Sequence, residues 1–129
     1  MGGDKGGIIG QWHVALGVGK VKVLFLPGYP VGGFCVQQIG TDKQLDEYQN
    51  MGFMPKLGEL YRMDLLVTRL PMEKVGIRAI VLSPDGRSFE SYTEVDADDA
   101  GPMDQISLER SGKGGGDAWF DELQVVLSP

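Results

Sequence analysis

The chain has 129 residues, 20 of them Gly and 7 Pro, and its 18 acidic side chains against 12 basic ones leave a net charge of −6. At 42% hydrophobic it is too apolar for a disordered acidic tail, and no apolar run reaches the roughly 20 residues that cross a bilayer, so membrane insertion is not expected. Its lysines are scattered rather than clustered, which argues against nucleic acid and leaves a neutral or cationic partner.

Cys35 is the only cysteine, which excludes a disulfide framework and a zinc site built on thiolates. It reads as a small buried apolar side chain. Residues 1–9 read as a flexible N-terminal segment ahead of one domain spanning 10–129. Met1 to Gly7 lacks the apolar core of a signal peptide, so the signal of a secreted protein would lie outside this chain.

Glycine and proline recur at short intervals, and the runs between them alternate apolar and polar residues, which predicts strands. In Gln11–Leu16, Trp12, Val14 and Leu16 share a core-facing side while Gln11 and His13 point away. Lys20 to Leu26 places Val21, Val23 and Phe25 on one face, and Gly33 to Ile39 is a third strand. Gln44 to Gln49 could form a helical turn, but Gly52 and Pro55 exclude a long helix, so 41–58 reads as a decorated loop with at most one short strand. Tyr61, Met63, Leu65 and Val67 alternate with Arg62, Asp64 and Thr68, and Val75, Ile77, Ala79 and Val81 alternate with Arg78. Ser83-Pro84-Asp85-Gly86 is a hairpin turn, because proline presets the first bend and glycine accepts a positive φ. Phe89 to Thr93 returns as its partner. Ile106 and Leu108 open another strand, Gly112 to Gly116 form a loose turn, and Ala118 to Leu127 make the last strand. This number of short strands predicts an all-β fold, a two-sheet antiparallel β-sandwich.

The most specific stretch is Gly116-Asp117-Ala118-Trp119-Phe120-Asp121-Glu122-Leu123-Gln124-Val125. It resembles the closing strand of jelly-roll carbohydrate-binding modules and of laminin-G-like, concanavalin-type sandwiches. Asp104 to Leu108 and the hairpin from Tyr61 to Gly86 are similar to later strands of that superfamily, so the likeness covers the second half of the chain. It implies a jelly-roll or concanavalin-like sandwich and a non-catalytic carbohydrate-binding module. Such a module binds a polysaccharide, here a plant-type β-glucan, and is tethered to the other domains of an extracellular or cell-surface protein. By position it also makes Asp121 the candidate ligand of a structural calcium ion, where the bland alternative is a turn cap or a solvated carboxylate.

Glu94-Val95-Asp96-Ala97-Asp98-Asp99 concentrates carboxylates with no basic neighbour in sequence. Asp96 and Asp98 begin like a calcium-binding loop, but Ala100 and Ser107 occupy its fifth and twelfth positions, where ligands are required. The same resemblance includes glucanases with a Glu, Asp, Glu triad on one strand, and Glu94, Asp96 and Asp99 nearly match that spacing. Asp99 stands where Glu is required, and Ala100-Gly101-Pro102 turns the chain, so a small glycoside hydrolase or lyase is the lesser alternative to binding. The plain reading is a solvated loop joining two strands.

Sugar sites use an aromatic face together with planar polar side chains that bond hydroxyls. Trp119, opposite Phe120, is the first stacking candidate, while Tyr29 and Tyr48 lie in segments that read as loops. Trp12 reads as core. Gln11, His13, Arg62, Asp64 and Arg78 would form a polar sheet surface if their strands are neighbours. Arg62 with Asp64 is equally a surface ion pair of small energetic value, and His13 an exposed strand residue. A structural or protein-interaction sandwich without sugar affinity is the third reading.

Overall fold

The computed structural model describes residues 13–26, 32–53 and 59–111. Its strands are β1 (His13–Val18), β2 (Val21–Leu26), β3 (Gly33–Gln38), β4 (Gln49–Asn50), β5 (Arg62–Leu70), β6 (Lys74–Leu82), β7 (Ser88–Asp96) and β8 (Ile106–Ser111), with one helical turn, α1 (Ala97–Ala100). They form two antiparallel sheets, one in the order β4-β3-β2-β1-β8 and the other in the order β5-β6-β7. The all-β, two-sheet sandwich expected from the alternation is the fold.

Period-2 alternation decides which side chains meet between the sheets. Val21, Val23 and Phe25 of β2, with Phe34 and Val36 of β3, face Val75, Ile77, Ala79 and Val81 of β6 in one core cluster. Removing side chains of this size from water contributes about 1.5–3 kcal/mol each. Cross-strand pairs fix the register: Leu16 lies between Val23 and Leu108, and Ile77 between Val67 and Thr93. A one-residue slip would turn every one of these side chains out of the core.

β2 departs from simple alternation because it is buried on both faces. Of its remaining residues, Leu24 and Leu26 join Ala15 and Cys35 in a second cluster on the outer side of the larger sheet, and Lys22 is buried on the same side. Burial pushes the Cys35 thiol up to about 11, which keeps it protonated and unreactive, as expected of a packing residue.

The segment 41–53 is held to the larger sheet by a bridge between Gln37 and Gln44 and by the short β4, and the helical turn weighed for 44–49 does not form. Ser83 to Gly86 turns as expected, with the Gly86 amide donating to the Ser83 carbonyl at 3.0 Å and Gly86 at φ 93°. β7 runs three residues beyond Thr93, to Asp96, because Lys74, Val75 and Gly76 pair with Asp96, Val95 and Glu94. The acidic stretch is therefore the end of a strand plus α1, not a solvated loop. Gly101, at φ 71°, ends the turn.

Candidate functional site

The outer face of the smaller sheet gathers residues from all three of its strands. The register places Arg62, Asp64 and Leu66 of β5 beside Leu82, Ile80 and Arg78 of β6, and these beside Ser88, Glu90 and Tyr92 of β7. Arg62, Asp64 and Arg78, expected to share a polar surface, do share this one. The Arg62 Nε donates to Asp64 Oδ1 at 2.9 Å, so the surface ion pair also forms. Arg78 pairs with Glu90, and Lys74 Nζ lies 2.8 Å from Asp96 Oδ1.

Tyr92 was not among the residues singled out from sequence, and it is an aromatic side chain midway along the edge strand β7 on this face, 43% exposed. Its signal was present in the alternation: Phe89 packs against the core, so period 2 sends Tyr92 to the opposite side. Gly76 shapes its seat. A Cβ at Gly76 would come within 2.6 Å of the Tyr92 hydroxyl and 3.2 Å of its ring, so the ring lies over the backbone of β6 in space only glycine leaves. The hydroxyl donates to Glu94 Oε2 at 3.1 Å. Partial desolvation, and then the Glu94 carboxylate, raise its pKa above the ordinary tyrosine value. The Arg78 guanidinium carbon sits over the ring, 4.9 Å from its centroid. An aromatic surface ringed by planar donors and acceptors can stack on a pyranose and bond its hydroxyls.

His13 belongs elsewhere. It lies on the outer side of the larger sheet, where its Nε2 is 2.8 Å from Glu109 Oε2 and its side chain is only 12% exposed. It is neither an exposed strand residue nor a neighbour of Arg62 and Arg78. Glu109 in turn lies 3.4 Å from Lys22 Nζ, which also approaches Asp42 at 3.6 Å. Tyr48 is not a free loop aromatic either. It packs on the cluster of Ala15, Leu24, Leu26 and Cys35, and a Cβ at Gly33 would collide with its hydroxyl. Its ring fills the space over Gly33 and cements the 41–50 segment to β3. Gln11, Trp12, Tyr29, Trp119 and Asp121 lie outside the described residues, as do the turn at 112–116 and the strand expected over 118–127.

The acidic stretch does have a basic neighbour. Lys74 bonds Asp96 and holds its carboxyl below the usual range. That contact already supplies Asp96 with a cation, and Asp98 lies on the exposed side of α1. Among the described residues no group of three His, Cys, Asp or Glu side chains comes together. Glu94 and Asp96 share the outer face of β7 while Asp99 sits in α1, so the three do not line one strand as the glucanase pattern requires.

A small cleft of about 130 Å³ opens at one end of the sandwich between Phe53, Tyr61, Ser83, Asp85 and Arg87. Arg87 stacks on Phe53 at 3.9 Å, and its Nη2 reaches Asp85 Oδ2 at 2.8 Å. Hydrogen bonds from Arg87 and then Ser83 bring the Asp85 carboxyl down to about 2. These polar groups bond one another and brace the Ser83–Arg87 turn.

The chain matches no known protein family, no curated protein and no solved structure.

Proposed function

We propose that the chain is a non-catalytic carbohydrate-binding β-sandwich that holds a polysaccharide on the outer face of β5, β6 and β7. The observation that carries the reading is Tyr92, an exposed aromatic ring seated over Gly76 with Arg78, Glu90 and Glu94 beside it and Arg62 and Asp64 farther along the same face. The ring supplies stacking area, and Glu94 beside it, with Arg62 and Asp64 along the face, supplies directional bonds to hydroxyls. A net charge of −6 favours an uncharged glycan over a polyanionic one, and a plant-type β-glucan fits that chemistry. The jelly-roll and laminin-G-like resemblance of 116–125 supports the same class. It also supports a setting as one module of a larger extracellular or cell-surface protein, where tethering raises a weak individual affinity.

The test is affinity electrophoresis of the full chain through gels containing mixed-linkage β-glucan, xyloglucan, polygalacturonate or no polysaccharide, each run with and without a calcium chelator. The wild type is expected to be retarded by a neutral β-glucan, and Tyr92→Ala to lose the retardation while keeping its unfolding midpoint. Equal migration of the two proteins in every gel contradicts the assignment. Release of reducing ends by the wild type, lost in Glu94→Gln, would turn the reading to hydrolysis. Loss of retardation with chelator would point to a bound calcium ion, for which Asp121, and less so Asp96 and Asp98, are the candidate ligands.

A further inference from the structure

Arg78 stands directly opposite Tyr92 in the β6–β7 register and two residues from Gly76 on the same strand. The Tyr92 ring leans over Gly76, so its sheet side is closed by the β6 backbone. The other broad face is the one a sugar could use, and the Arg78 guanidinium lies within cation–π range of the ring at 4.9 Å. Arg78 is anchored there by Glu90 from the neighbouring strand, and the two side chains are 44% and 45% exposed. An exposed ion pair is weakly held and sensitive to salt.

We infer that Arg78 is a displaceable cover on Tyr92: the guanidinium occupies the stacking face in the free protein, and a glycan binds by moving it aside. The inference rests on the glycan-binding reading of this face and adds what controls its affinity. A cover lowers apparent affinity by the fraction of molecules whose ring is open, whereas a contact residue raises it. The two roles predict opposite signs for the same substitution. A cation–π contact at an exposed position is weak enough that uncovering the ring should tighten binding by about two- to fivefold.

The experiment titrates the wild type, Arg78→Ala, Glu90→Gln and Tyr92→Ala with mixed-linkage β-glucan, at about 0.05 and about 0.5 M salt. Arg78→Ala is expected to bind more tightly than the wild type and to lose its salt dependence. Glu90→Gln, which frees Arg78 from its anchor, should shift the same way by less. Wild-type affinity should rise with salt as the ion pair is screened, and Tyr92→Ala should not bind. Weaker binding by Arg78→Ala, with the wild type still retained through Tyr92, overturns the cover and makes Arg78 a contact residue. Absence of binding in the wild type and Arg78→Ala alike overturns the glycan reading itself, and the cover with it. Binding by Arg78→Ala alone supports both.

Discussion

Glu109 is held between His13 and Lys22 on the outer side of the larger sheet. His13 first, and then Lys22, hold its carboxyl below the ordinary value of 4.5. A carboxyl whose pKa is lowered by folding contributes stability that is complete above its unfolded value and fades as the pH falls through the folded one. Glu109→Gln should therefore destabilise the protein by about 1 kcal/mol at neutral pH, a modest figure because water screens a side chain this exposed. Urea unfolding of the two proteins should show that difference shrinking as the pH is lowered past the carboxylate range. A constant difference would assign the loss to packing instead. None of this was legible in the sequence, because Glu109 lies 96 positions from His13 and only the β1–β8 pairing brings them together. Tyr92 is the opposite case: its position follows from local alternation with Phe89.

The hairpin joining β5 and β6 carries backbone strain at its tip. Pro71, Met72 and Glu73 connect the paired Leu70 and Lys74, with Met72 at φ 62° and Glu73 at φ 56°. Left-handed backbone costs an L-residue about 1–2 kcal/mol, and only glycine escapes that cost. Met72 is 89% exposed, so replacing it gives up little packing. Met72→Gly should stabilise the domain by about 0.5–1 kcal/mol, the relief of strain exceeding the extra freedom gained by the unfolded chain. An unfolding midpoint below that of the wild type would show that the Met72 side chain contributes an interaction the strain reading omits. The strands on either side of this tip were legible because Val75, Ile77, Ala79 and Val81 alternate cleanly. The left-handed pair was not, since neither Met nor Glu signals a positive φ. The acidic stretch misled for a related reason. The charge of Glu94 to Asp99 suggests a loop, while pairing with Lys74, Val75 and Gly76 carries β7 as far as Asp96.

Across the whole molecule, the two sheets have unlike outer faces. That of the larger sheet buries Ala15, Leu24, Leu26 and Cys35, while that of the smaller sheet exposes Arg62, Leu66, Arg78, Glu90 and Tyr92. Alternation along each strand distinguishes in from out, but it does not say which outer faces adjoin. That is why His13 was expected beside Arg62 and Arg78 and lies instead on the other sheet. Sheet order is a long-range property, set by which strands bury the most apolar surface together. The fold class was therefore readable from local pattern, whereas the composition of the candidate site needed the register. The central claim is that β5, β6 and β7 present the glycan-binding face. Its most direct test is an amide NMR titration of the ¹⁵N-labelled chain with an oligosaccharide of mixed-linkage β-glucan. Shifts concentrated at Asp64, Leu66, Arg78, Glu90, Tyr92 and Glu94 are predicted, and shifts concentrated at His13, Lys22 and Glu109, at the Ser83–Arg87 turn, or nowhere, would contradict it.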